Sequence, residues 1–146
     1  MLLKLMMSPL GLAWDRFLVK WTGKSPLCNI FAKMGGFPPR PALLLIVKGR
    51  KSGKPRASAL PYFDAHGRRF VVGSRGGGPI DPQWVTNLRA DANATIYVDR
   101  KERHVKARVA TGEERALLWE ELGKMLPTYV HYQTLTTREI PLVILE

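Results

Sequence analysis

The sequence predicts an α+β protein built on a small antiparallel β-barrel, mainly β with a few inserted helices. Three observations carry that prediction. Six short apolar or alternating segments are separated by turns rich in Gly, Asp and Pro. Helical patterns interrupt them irregularly, without the strand–helix alternation of a parallel sheet. The length of 146 residues, 45% hydrophobic and 24% charged, suits a folded chain with a sizeable core.

The elements follow in order. Leu10, Ala13, Trp14, Phe17, Leu18 and Trp21 recur at helical spacing with Asp15, Arg16 and Lys20 off the stripe, and Thr22-Gly23 ends that amphipathic helix. The stripe is expected to pack over the barrel; the alternative is contact with a membrane surface. A shorter helix is expected from Pro26 to Met34, stopped by Gly35-Gly36. Phe37-Pro38-Pro39-Arg40-Pro41 reads as an extended connector, because proline blocks helix there. Residues 1–40 are therefore expected to form a helical extension and 41–146 the barrel.

Ala42 to Val47 is a continuous apolar run, the pattern of a barrel-wall strand. Gly49-Arg50-Lys51-Ser52-Gly53 turns it into a second strand, Arg56 to Phe63, and Asp64-Ala65-His66-Gly67 closes a hairpin into Arg69–Ser74. After Gly76-Gly77-Gly78-Pro79, Asp81-Pro82 reads as the N-cap and first residue of a helix carrying Trp84, Val85 and Leu88 to about Ala90. Ala94–Val98 and Glu102–Ala110 pair around Asp99-Arg100-Lys101. Thr111-Gly112-Glu113-Glu114 reads as a capping box for a helix to about Leu126, with Leu118, Leu122 and Met125 on one face. A short helix over 127–137 and a strand over Ile140–Leu145 complete the chain.

Charge is unevenly placed. The net charge is +11, from 23 basic and 12 acidic side chains. Residues 1–56 hold eleven of the cations and one acid, Asp15, whereas 57–146 hold twelve and eleven. A basic end on a near-neutral body implies a localised anionic partner. The lone Cys28 excludes an intramolecular disulfide scaffold and points to a reducing, cytoplasmic compartment. No uncharged apolar run is long enough for a membrane span. Lys4 and Pro9 interrupt the apolar start, against a secretory signal.

Three motifs bear on chemistry. Lys48-Gly49-Arg50-Lys51-Ser52-Gly53-Lys54-Pro55-Arg56 places five cations in nine residues without an acid. That crowding favours an anion, and Ser52 with the glycine amides suits a phosphate. The glycine spacing is not that of a P-loop, and the bland alternative is a solvated hairpin tip. Ser74-Arg75-Gly76-Gly77-Gly78 before Asp81-Pro82-Gln83-Trp84 brings bare backbone against a flat or phosphorylated ligand, unless Trp84 is simply core. Tyr129 and Tyr132 share a helical face and either line a pocket or pack. His66, His104 and His131 stand far apart without a cysteine partner, so no metal site is expected. With no nucleophile elbow and no carboxylate pair, a cofactor is expected to carry the reaction if the chain is an enzyme. No aromatic lies between Lys48 and Arg56, which disfavours nucleic acid.

Gly49-Arg50-Lys51-Ser52-Gly53-x-Pro55-Arg56, Ser74-Arg75-Gly76-Gly77, Pro82-x-Trp84, Asn87-Leu88 and Arg138-Glu139-Ile140-Pro141, in that order over about residues 40–146, resemble the deazaflavin-dependent nitroreductase family. The resemblance implies a split β-barrel like that of flavin mononucleotide (FMN)-binding proteins, and an oxidoreductase using coenzyme F420. It implies hydride delivery to an electron-poor acceptor such as a quinone, enone or nitroaromatic. The coenzyme's phosphate and oligoglutamate tail would lie on Arg50, Lys51, Ser52 and Arg56 with Gly49 and Gly53, facing Arg75. Gly76, Gly77 and the Trp84 helix would border its ring, with Asn87 nearby, and Ser74, Tyr129 and Tyr132 would position the acceptor or donate a proton. Leu126 stands where relatives often carry another tyrosine, and Gly78-Pro79-Ile80 replaces a more charged loop. Two alternatives stand beside this reading: an FMN-binding split-barrel reductase, and a noncatalytic basic module for anionic lipid or nucleic acid.

Overall fold

Ala42-Leu43-Leu44-Leu45-Ile46-Val47 has no polar residue to offer either face. In the computed structural model, which describes residues 1–146, it lies within β1 (Ala42–Lys48), buried on both sides. Leu43, Leu45 and Val47 point into the main core, while Ala42 and Leu44 pack outward against Val19. The other strands are β2 (Pro55–Pro61), β3 (Phe63–Ala65), β4 (Arg68–Val72), β5 (Asn93–Val98), β6 (Lys101–Val109) and β7 (Leu142–Leu145). All pairings are antiparallel, in the order β2-β1-β5-β6-β7-β4-β3.

There are seven strands, not the six expected. The predicted Arg56–Phe63 strand breaks at Tyr62, after Pro61 ends the pairing with β1. Its two halves occupy opposite edges of the sheet, yet one residue joins them. The sheet therefore curls until its edges meet, which makes a half-barrel. β6 assists by pairing with β5 up to Lys106 and with β7 from Ala107 onward. Its hairpin with β5 turns through Asp99 and Arg100, and the β3–β4 hairpin through His66 and Gly67. All four residues have positive φ, as a tight turn between twisted strands requires.

Helices cover both ends of this sheet. α4 (Gln83–Ala90) buries Trp84, Val85 and Leu88 in the main core. α5 (Gly112–Met125) buries Leu118 and Leu122 against Phe63, Phe70, Leu142 and Ile144 in a second core. α6 (Pro127–Thr134) follows directly. Before the barrel come α1 (Leu2–Met6), not anticipated, then α2 (Pro9–Thr22) and α3 (Pro26–Met34). Local chemistry explains their limits. Ser8 Oγ accepts the Gly11 N–H, Gly23 takes a left-handed φ of 68°, and Ser25 Oγ accepts the Cys28 N–H. Asp15 is buried and accepts bonds from Ser25 Oγ (2.7 Å) and the Leu27 N–H (2.9 Å). The single acid of residues 1–56 thus serves the start of α3 and neutralises no cation.

Two local expectations need correction. The α2 stripe does not cover the barrel: Leu10, Trp14, Phe17 and Trp21 are 71%, 59%, 54% and 52% exposed. α2 seats Val19 on the small outward row Ala42–Leu44 and turns Asp15 toward α3, which rotates the aromatics outward. Neither acidic helix-start signal forms a cap. Asp81 bonds Arg138 and Arg89, so α4 begins after Pro82, and Glu114 bonds Arg108 and Arg68.

The Glu114 arrangement has a measurable consequence. Arg108, which also holds Glu146, pulls the Glu114 carboxyl down to about 2. A carboxyl lowered in the folded state stabilises above the ordinary glutamate range, and that contribution is lost as pH falls toward about 2. Thermal melts of the wild type should therefore drop between pH ~4.5 and ~2, and the drop should be smaller in Glu114→Gln. Equal drops in both proteins would disprove the assignment.

Candidate active site

The β1–β2 turn closes on itself through main-chain bonds from Gly49 N–H to Lys54 O and from Gly53 N–H to Gly49 O, both 2.8 Å. A Cβ at Gly49 would stand 2.9 Å from Ser52 Oγ, so glycine is required for the hydroxyl to fold over the loop. Arg50 then latches the loop to α4. Its backbone N–H and its guanidinium both donate to Asn87 Oδ1, at 3.1 and 2.9 Å, and the guanidinium also donates to Gln83 Oε1 at 2.8 Å. Between loop, β2 and α4 lies a cleft of about 380 Å³ bordered by Arg50, Lys51, Ser52, Arg56, Trp84 and Asn87.

Charge in this cleft is uncompensated. Of the cations of the turn, Arg50, Lys51 and Arg56 line the cleft, and none of the three forms an ion pair. Three neighbouring cations with no carboxylate in the cleft repel one another and are relieved by an anionic ligand.

The second locus is the glycine loop after β4. Arg75 (φ 45°), Gly76 (φ 63°) and Gly77 (φ 80°) are consecutively left-handed, a costly backbone for arginine. A Cβ on Gly77 would meet the Tyr132 carbonyl at 2.8 Å, so the loop lies directly on α6. Arg138 braces it with bonds to the carbonyls of Gly73, Ser74 and Gly78. On α6, Tyr129 stands edge-on to Phe63 and to Tyr132, with centroids 5.8 and 5.9 Å apart. Burial, then the neighbouring Cys28 and Tyr132, push the Tyr129 phenol well above the ordinary tyrosine range. It keeps its proton throughout neutral pH.

The residues singled out from sequence therefore gather unequally. Gly49, Arg50, Lys51, Ser52, Arg56, Trp84 and Asn87 share one cleft, while Gly53 lies on the far side of the hairpin with Lys48 and Asp91. Trp84 is both core and cleft wall, which reconciles the two readings of it. Asn87 spends its amide oxygen on the loop. Ser74, Arg75, Gly76 and Gly77 sit with Tyr132, and Tyr129 lines the second core. Gln83, Asp81 and Arg138 had no assigned role in the site. The only signal for Arg138 was its place before Glu139-Ile140-Pro141.

A curled antiparallel half-barrel with a cationic turn latched to α4 and a glycine loop laid on α6 has the architecture of the split-barrel class. Residues 29–146 match the model of the F420H(2)-dependent quinone reductase family, and the chain belongs to that family. It is 34% identical over 108 residues to an F420H(2)-dependent quinone reductase of Mycobacterium tuberculosis, covering 72% of each chain. A second protein of that organism, named as a candidate reductase of the same kind, is 36% identical over 107 residues, 73% of this chain and 90% of the relative. The solved structure of an F420-H2-dependent reductase superposes with a TM-score of 0.65 at 36% identity, covering 73% of this chain and 95% of that one. The protein is thus an oxidoreductase whose coenzyme is F420, which displaces the FMN and noncatalytic alternatives.

Proposed function

We propose that the Lys48–Arg56 turn holds the anionic phosphate and oligoglutamate tail of F420, and that the acceptor is a quinone bound beside the glycine loop at its Tyr132 end. One observation carries this reading: Arg50, Lys51 and Arg56 line one cleft without an ion-pair partner, beside a glycine cradle that orients Ser52. The donor set fits a polyanion. Arg50, held by Asn87 and Gln83, keeps a fixed orientation, whereas Lys51 and Arg56 supply adaptable charge.

When bound and reduced, the coenzyme supplies a hydride. The protein's part is to hold, orient and exclude water. Gly76 and Gly77 let backbone approach a flat ring, and Trp84 walls the cleft. Ser74 opens the glycine loop and Tyr132 meets it through its main chain, and their hydroxyls are the groups this reading assigns to the proton an acceptor oxygen needs. Tyr129, kept as a phenol, supports Tyr132 from the core side.

The exposed α2 aromatics extend the proposal to the source of the acceptor. Leu10, Trp14, Phe17 and Trp21 face outward, with Lys4, Arg16, Lys20, Lys24 and Lys33 free of ion pairs around them. An exposed aromatic stripe ringed by cations suits the surface of a membrane that carries lipid quinones.

Titration with oxidised F420, followed by its fluorescence, tests the core of the reading. Saturable binding that weakens with salt is expected, together with quinone-dependent reoxidation of the reduced coenzyme. Absence of binding at low salt would overturn it.

A further inference from the structure

We propose that Arg138 is a positioning residue for the reaction, setting the glycine loop against the helix that carries Tyr129 and Tyr132. Little that is local keeps residues 74–78 in shape. Their internal bonds are only Gly77 N–H to Ser74 O and Gly78 N–H to Arg75 O, across three left-handed residues.

The guanidinium supplies what the loop lacks. Its Nε donates to Gly78 O (2.8 Å), one terminal nitrogen to Gly73 O (3.1 Å) and Asp81 Oδ1 (2.7 Å), and the other to Ser74 O (2.8 Å). The side chain is only 15% exposed, so these bonds compete little with water. Because peptide units are planar and trans, carbonyls of Gly73 and Ser74 aimed at Arg138 turn the N–H groups of Ser74 and Arg75 away from it.

The backbone of Arg138 is fixed in turn by α6. Gln133 Nε2 donates to Arg138 O at 2.7 Å, and Gln133 Oε1 accepts the Ile140 N–H at 2.9 Å. One side chain on the tyrosine helix thus grips the backbone on both sides of Glu139, starting at the carbonyl of the residue that braces the glycine loop. Lysine cannot replace arginine here, because an ammonium lacks the planar fork that reaches four acceptors at once.

The inference rests on the F420 reading, and its test separates the two. In coenzyme-free Arg138→Ala, amide exchange at Gly77 and Gly78 should accelerate at least ~10-fold while β4 and β7 keep their protection. The Kd for oxidised F420 should rise about 10-fold, Arg138→Lys should stay impaired, and free guanidinium should restore both readouts in Arg138→Ala where ammonium does not. Arg115→Ala, which breaks the adjacent Arg115–Glu139 pair, should lower the melting temperature without changing loop exchange. Wild-type behaviour of Arg138→Lys, or unchanged loop exchange in Arg138→Ala, would overturn the proposal. If Arg138→Ala does not fold, Arg138→Lys decides. A wild type that fails to bind F420 counts against the functional reading and leaves loop exchange to decide this one.

Discussion

Replacing Lys51 by glutamate is expected to weaken binding of oxidised F420 by about 100-fold at low salt. Lys51 lies at the rim of the 380 Å³ cleft, and no acid pairs with it. The substitution removes one charge-assisted contact, worth about 1.5–3 kcal/mol, and sets a carboxylate against the anionic tail. Added salt should narrow the difference, because an exposed contact is screened. Stability should hardly change, since no native bond is lost. Tyr129→Phe is the informative contrast. It removes only a hydroxyl from a ring packed on Phe63, so coenzyme affinity should remain near wild type while quinone turnover falls. Fluorescence titrations of the three proteins decide it. Equal affinity of Lys51→Glu and wild type would remove the tail from this turn.

Lys51 was legible because uncompensated charge is a property of composition. Eleven cations against one acid in 56 residues can be counted without knowing any contact. Turns that close within a few residues, such as His66-Gly67 and Asp99-Arg100, were legible for the same local reason. Features that depend on distant partners were not. Asp81 carries a sound N-cap signature, yet Arg138, 57 positions away, takes its carboxylate. The Arg50 latch joins residues 33 and 37 apart. The strand break at Tyr62 arises because the closing sheet needs its two edges joined, a demand that periodicity does not express. Periodicity likewise defined an apolar face on α2 without saying what that face would meet.

That face carries the second large effect. Changing Trp14, Phe17 and Trp21 together to serine should abolish association with anionic, quinone-containing vesicles while leaving F420 affinity in solution unchanged. The three side chains are more than half exposed and contribute little to the fold, which this helix meets through Val19 and Asp15. Each large apolar side chain withdrawn from water is worth about 1.5–3 kcal/mol, so partial burial of three would account for at least a 100-fold partition. Tryptophan suits the headgroup level, where its ring is sheltered and its N–H stays wet. Lys20 stacks over Tyr97 and Trp21, at 4.5 and 5.6 Å, and holds positive charge beside the aromatic row. Anionic lipid should therefore strengthen binding, and salt should weaken that increment without removing the apolar part. The same triple change should raise the KM for a vesicle-borne quinone and spare that for a water-soluble one. Flotation of the triple variant equal to wild type would place the stripe away from the membrane, and equal KM values for the two quinones would separate membrane contact from delivery of the acceptor.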